Sequence, residues 1–313
     1  MIRLGTRGSA LALAQARWVA ERLPDEVELV PITTSGDERR GHSPEVSDKS
    51  RFVKEIEEAL LAGQIDLAVH SAKDVPSELP GGLAIVAVPE RADPRDTLCG
   101  AASLDDLAER AVVGTGSLRR RAALLALRPD LDVCELRGNV DTRLRRLADG
   151  DFNAIVLAQA GLERLGRADE GSPLDPRLVV PAPGQGCLVL EARAGSGAGG
   201  GAGSGIARDD AVAQAAAALT DRDALTSLTA ERAVVRALEA TCHTPIGAHS
   251  VTVDAGLRLT VFVGLPDGSQ WIRDELDGPA ADPSGLGEAV GERLRAAGAA
   301  DLLAVAERAV TAG

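Results

Sequence analysis

The side chains best suited to chemistry fall into a few short stretches. In Val69-His70-Ser71-Ala72-Lys73-Asp74-Val75-Pro76, four polar residues follow the apolar run Ile65-Asp66-Leu67-Ala68-Val69. That run has the length of a buried strand, and residues just past a strand's C-terminal end line the ligand crevice of an α/β sheet. His70, Ser71, Lys73 and Asp74 are therefore expected to leave the strand at such a crevice, and Pro76 keeps Val75 out of helical dihedrals. The competing reading is a polar turn with a Lys73-Asp74 surface pair. Arg119, Arg120, Arg137, Arg143 and Arg164 fall at turns after strand-like runs, where forked guanidinium groups suit carboxylate or phosphate. Solvated helix faces are the competing reading, and that reading is given to Arg121, Arg145 and Arg146. Gly114-Thr115-Gly116-Ser117 lacks both the P-loop lysine and a full G-x-G-x-x-G, so it is weak as a nucleotide motif. Cys242, in Ala240-Thr241-Cys242-His243-Thr244-Pro245, has the character of a loop nucleophile. A Cys242-His243 dyad is disfavoured because adjacent side chains usually diverge.

The 313-residue chain carries 34 Lys and Arg against 47 Asp and Glu, a net charge of -13, which disfavours nucleic-acid binding. Aromatic residues make up 2% and tyrosine is absent, so base-stacking platforms are not expected either. The four cysteines are far apart and form no C-x-x-C pair, which argues against zinc and against a disulfide framework. No apolar run reaches membrane-spanning length, and the N-terminus has no signal-peptide pattern. A cytoplasmic protein is expected.

Strands with polar turns and helices between them must position these groups. Arg7, Ser9 and Gln15 sit where a first strand turns into a helix over Ala10 to Leu23, a place suited to an anion. Leu11, Ala14, Trp18 and Leu23 are expected to face the core there. Strands are expected at 28–33, 83–89, 111–113, 132–136 and 154–157, with helices at 52–62, 118–127, 142–148 and 160–164, giving parallel-rich sheets. The charged stretch 90–96 reads as a hinge, so a cleft between two sheets is expected. Residues 35–50 read as a polar loop and 194–205, almost all Gly, Ala and Ser, as a flexible one. An amphipathic helix over 221–240 places Leu225, Leu228, Val235 and Leu238 on one stripe. Period-two alternation from Ser250, a turn at Pro266-Asp267-Gly268 and two final helices make a small α+β domain.

In order along nearly the whole chain, Thr6-Arg7-Gly8-Ser9, Val69-His70-Ser71-Ala72-Lys73-Asp74-Val75-Pro76, Asp93-Pro94-Arg95-Asp96, Gly114-Thr115-Gly116-Ser117-Leu118-Arg119-Arg120, Leu136-Arg137-Gly138-Asn139, Pro183-Gly184-Gln185-Gly186 and Cys242 with Pro245-Ile246-Gly247 resemble the hydroxymethylbilane synthase (porphobilinogen deaminase) family. The resemblance implies an α/β fold: two periplasmic-binding-protein-like, doubly wound domains (1–92 with 188–219, and 93–187) and a small α+β C-terminal domain (220–313). It implies a transferase that joins four porphobilinogen units, with loss of ammonia, onto a covalent dipyrromethane cofactor on Cys242. Asp74 matches the catalytic carboxylate. Arg7, Ser9, Gln15, Ser71, Lys73, Thr115, Ser117, Arg119, Arg120, Arg137, Gly138, Arg143 and Arg164 match positions that bind cofactor and substrate. No metal, nucleic-acid or membrane partner is implied, and a monomer is expected. Ser47-Asp48-Lys49-Ser50-Arg51 departs from the family's glycine-rich loop, Cys187 is read as a buried strand cysteine, and 195–205 looks like an insertion. Competing classes are a two-lobed binding protein for a polycarboxylate, which leaves Cys242 and Asp74 unexplained, and a cysteine hydrolase, for which the spacing is wrong.

Overall fold

Short apolar runs broken by polar turns set the layout. The computed structural model describes residues 1–34, 53–194, 204–241, 244–254 and 256–311. In chain order come β1 (Ile2–Arg7), α1 (Ala10–Ala20), β2 (Val27–Ile32), α2 (Lys54–Leu61), β3 (Leu67–Ser71) and β4 (Leu83–Ala87). Next are β5 (Asp96–Cys99), β6 (Val112–Gly114), α3 (Leu118–Leu127), β7 (Asp132–Cys134), α4 (Val140–Ala148), β8 (Ala154–Ala158), α5 (Gln159–Arg164) and β9 (Ser172–Pro173). β10 (Leu188–Arg193), α6 (Ser204–Ala217), α7 (Arg222–Ala237), β11 (Ile246–Val253), β12 (Gly256–Gly264), β13 (Trp271–Gly278), α8 (Pro283–Ala296) and α9 (Ala299–Thr311) complete the order. The chain divides into two compact units, Met1–Arg91 with Cys187–Leu225, and Ala92–Gly186 with Thr226–Gly313.

The sheet of the first unit has the order β2-β1-β3-β10-β4. β1 runs parallel to β2 and β3, and β10 runs antiparallel to β3 and β4. Alternation along each strand separates two apolar faces. Leu4, Leu67, Val69 and Leu190 pack with Ala16 and Val19 of α1 and with Val212 and Ala216 of α6. On the other face Ala68 meets Ile56 and Leu60 of α2, together with Ile65. A Cβ at Gly5 would displace the end of the Ile65 side chain, so the glycine lets Ile65 lie directly on β1. α1 buries Ala12, Gln15, Ala16 and Val19 rather than Leu11, Ala14 and Trp18. Its small alanines let the helix approach the sheet closely, and Trp18 packs against the same core partly buried, with the Arg22 guanidinium 3.9 Å above its ring.

In the second unit one sheet runs β7-β6-β8-β5-β9 and a second is the meander β11-β12-β13. β6 is parallel to β7 and β8, whereas β5 is antiparallel to β8 and β9. The parallel-rich expectation therefore missed the antiparallel direction of one strand in each five-stranded sheet, β10 and β5. Both follow proline- or glycine-marked turns that read as loop. The meander is backed by Val234, Leu238, Leu286, Val290, Leu294 and Leu303 of the last helices. Phe262 of β12 inserts among Leu98, Val113, Val156 and Val180 of the neighbouring core. Gly268, at φ 73°, turns against the backbone of Leu125, where a Cβ would come within 2.5 Å of its carbonyl carbon. Leu225, placed on the buried stripe from sequence, is 41% exposed, and Ala230, Ala233 and Val234 form the packed face of α7. Arg121 is pinned and not solvated: its Nε donates to the Pro266 carbonyl and its Nη1 to that of Val133.

Candidate active site

In the first unit β1 and β3 are adjacent and parallel, so Arg7 and Ser71 finish at the same sheet edge. Ser9 caps α1, its Oγ accepting from Ala12 N at 3.3 Å. Gln15 lies one turn further in and is buried. Past Ser71 the chain makes a single 3-10 turn over Ala72–Asp74. That turn is tied to β10, because Ala72 N donates to the Cys187 carbonyl at 3.1 Å. Lys73 and Asp74 are half-buried on it. Among the described residues no hydrogen bond or ion pair engages the Asp74 carboxylate, so a surface pair with Lys73 is not formed. His70 does not leave the strand: it belongs to β3, is 5% exposed and has its Nε2 3.2 Å from Glu191 Oε2. Its ladder pairing with Val189 of β10 keeps it inside the sheet.

In the second unit the parallel strands β6, β7 and β8 bring three following turns to one edge. The Gly114–Ser117 stretch is a helix cap and not a phosphate cradle: Thr115 Oγ1 accepts from Ser117 N at 3.2 Å, and Ser117 Oγ accepts from Arg120 N at 3.4 Å. Arg119 and Arg120 open α3 and point inward, 4% and 6% exposed, onto the fully buried Asp96. Arg119 Nη1 and Nη2 reach its two oxygens at 2.6 and 3.1 Å, and Arg120 Nε reaches Oδ1 at 2.9 Å. Arg119 Nη1 also donates to the Val180 carbonyl at 2.6 Å, and Arg120 Nη1 to the Val156 carbonyl at 2.9 Å. Gln185 Nε2 completes the cluster, donating to Asp96 Oδ1 at 2.9 Å and to the Pro94 carbonyl at 2.7 Å. Burial alone would raise the Asp96 pKa, but the two guanidinium groups outweigh it and hold the carboxyl well below its usual range. Burial also pulls Arg120 down, against the pull of Asp96.

The other arginines are placed differently. Arg137 is exposed, with its Nε 2.6 Å from Glu135. Gly138, at φ 112°, allows the sharp turn before α4, and its carbonyl accepts from Arg143 Nε at 2.8 Å. Burial, with Arg120 nearby, pushes the Arg143 guanidinium down to about 10. Among the described residues no carboxylate lies within ion-pair distance of it. Arg164 donates from Nη2 to the Gly186 carbonyl at 2.7 Å. A desolvated Arg143 without a counter-charge, together with a buried Arg119 Nε that has no partner, fits a ligand rich in carboxylates such as a dipyrromethane.

Cys242, His243 and the Ser47–Arg51 stretch with Lys49 lie outside the described residues. Among the described residues no group of His, Cys, Asp and Glu could hold a metal ion. The fully buried Glu231 of α7 accepts from Gly184 N at 2.7 Å and from Ser250 N at 2.9 Å, joining the 183–186 turn to β11. Sequence reasoning missed the roles of Asp96, Gln185 and Glu231. The available signal was an ionisable or amide side chain inside an otherwise apolar run, as in Asp96-Thr97-Leu98-Cys99.

Comparison with known proteins bears on the same residues. A family model described as "Porphobilinogen deaminase, dipyromethane cofactor binding domain" matches residues 2–198, and one described as "Porphobilinogen deaminase, C-terminal domain" matches 225–296. Porphobilinogen deaminase of Thermus thermophilus is 46% identical, covering 97% of this chain and 98% of that protein. That of Deinococcus radiodurans is 43% identical over 96% of this chain and 97% of its own. A periplasmic substrate-binding protein from Coxiella burnetii aligns with a TM-score of 0.39 and 14% identity, over 70% of this chain and 91% of that one. The matched spans include the Asp74 turn and all of the arginine-bearing turns, so the chain belongs to the porphobilinogen deaminase family.

Proposed function

We propose that the chain is a hydroxymethylbilane synthase: it joins four porphobilinogen molecules stepwise on an enzyme-bound dipyrromethane, with release of ammonia, and water then frees hydroxymethylbilane. The observation that carries this reading is the half-buried Asp74 carboxylate, uncommitted to any cation among the described residues and held on a fixed turn at a sheet edge. As porphobilinogen loses ammonia, positive charge develops on its pyrrole nitrogen, and a preorganised carboxylate stabilises that charge and takes up the N–H proton's hydrogen bond. When bound to Cys242, dipyrromethane supplies the nucleophilic ring carbon for the first addition. Arg7, Ser9, Gln15, Ser71 and Lys73 in the first unit bind the acetate and propionate groups. Thr115, Ser117, Arg119, Arg120, Arg137, Gly138, Arg143 and Arg164 do so in the second. The lowered pKa of Arg143 and the unpartnered Nε of Arg119 support that assignment. Arg120 keeps the surroundings of Arg143 positive while Asp96 fixes it in place.

The decisive experiment is the intact mass of the purified protein beside a Cys242→Ser control. The expected result is a surplus equal to two porphobilinogen units less their ammonia, absent from the control. A native protein that stays at the bare-chain mass after incubation with porphobilinogen would overturn the reading. We further take the protein to act as a cytoplasmic monomer on a small molecule, without nucleic acid or membrane. Among the described residues no helix is long and apolar enough to cross a membrane, and light scattering is expected to return the mass of a single chain.

A further inference from the structure

Three ionisable side chains that the proposed chemistry does not use meet behind the Asp74 turn. His70 on β3, Glu191 on β10 and Glu57 on α2 are 5%, 1% and 7% exposed. Val189 pairs with His70 across the β3–β10 ladder, so Glu191 is the diagonal neighbour on the same face, the face that α2 covers. His70 Nε2 and Glu191 Oε2 are 3.2 Å apart, yet neither atom has an aligned hydrogen bond, nor do Glu191 Oε1 and Glu57 Oε1. Two ionised carboxylates buried without donors are more than one imidazole can compensate. Burial and the charge of Glu191 push the Glu57 carboxyl up to about 7, with His70 pulling the other way and Glu58 adding to the rise.

We infer that Glu57 is a positioning residue for the reaction, its carboxyl kept protonated behind His70 and Glu191 so that the end of β3, and with it Asp74, stays in place. β10 transmits the effect. It carries Glu191 and also pairs Leu188 with Ser71, and the Cys187 carbonyl just before it holds Ala72 N. A second negative charge between α2 and the sheet draws water in and loosens α2 from β10, the strand whose first residues hold Ser71 and the Ala72–Asp74 turn. The other charged groups around this face do not neutralise Glu57. Arg193 on β10 is taken by Asp209 and by the carbonyls of Leu60 and Ile65. Arg3 on β1 is paired with Asp66 at 2.7 Å. Lys54 lies 3.8 Å from Glu58 at the exposed side of α2, and Glu55 adds negative charge. Arg7 stands on the same face at the end of β1, beside the sheet edge.

This inference rests on the deaminase reading, and its test separates the two. The holoenzyme and Glu57→Gln are assayed with porphobilinogen from about pH 6 to 9, and the protonated-carboxyl infrared band is followed over the same range. Titration of one such group predicts a loss in wild-type kcat of roughly 25-fold between pH 6.5 and 8.5, with KM nearly constant. The variant, neutral throughout, is expected to lack that loss, and a wild-type infrared band that fades with the same midpoint is expected to be missing from it. Coincident pH profiles for the two proteins, or a wild type without the band at pH 6, overturn the inference while leaving the deaminase reading intact. Should Glu57→Gln fail to fold, the wild type decides: a common midpoint for band and kcat supports the role, and separate midpoints overturn it. Absence of turnover at every pH overturns the deaminase reading and this inference with it.

Discussion

Asp74→Asn is expected to lower kcat by roughly 10²–10⁴-fold, the range for removing a positioned acid-base and electrostatic group. The substitution keeps the shape of the side chain and removes its charge, so the fold should be untouched. Asp74 is half-buried on a turn fixed by backbone bonds, Ala72 N to Cys187 O and Val75 N to Ala72 O, and not by its own carboxylate. Little stability therefore depends on it, and the melting temperature is expected to stay close to that of the wild type. The assay pairs steady-state kinetics on porphobilinogen with the intact mass, which reports whether dipyrromethane is still attached. A holo-variant with loaded cofactor and collapsed kcat bears out the role. A loaded variant with unchanged kcat would remove Asp74 from the chemistry.

Asp96→Asn acts on the other side of the balance between stability and catalysis. It leaves Arg119 and Arg120, 4% and 6% exposed, without the single anion that both contact. Breaking a buried ion pair by removing one partner costs about 3–5 kcal/mol, because the remaining charges stay desolvated. The unfolding midpoint in urea should fall accordingly. The pH dependence follows from the direction of the shift. Asp96 has a folded-state pKa below its unfolded value, so its stabilisation is fully present above the unfolded carboxylate value of about 4 and is lost as pH falls through the folded one. The wild type should therefore lose stability on acidification below about pH 4, and the variant should show a smaller dependence in that window. Equal urea midpoints for wild type and variant at neutral pH would show that the cluster contributes nothing.

The sequence by itself determined which residues stand at the sheet edges. The turn after Leu67-Ala68-Val69 had to be polar, Pro76 had to keep it short, and the arginine-bearing turns and helices had to follow β6, β7 and β8, because apolar runs of strand length alternate with helix-forming stretches there. The ordered motifs from Thr6 to Gly247 added the family, since their order along the chain is information that a single short motif lacks. Only the tertiary structure decided what each charge does. Arg119 and Arg120 look like Arg137 in the sequence, yet the returning strand β5 carries Asp96 beneath α3 and draws both inward, while Arg137 stays exposed beside Glu135. His70 read as part of the polar turn, but β10 comes back antiparallel and sets Glu191 against it. Local pattern reports on neighbours a few residues away, and these pairings join residues 23 to 121 positions apart. Their energies depend on burial that exists only once both strands are in the sheet.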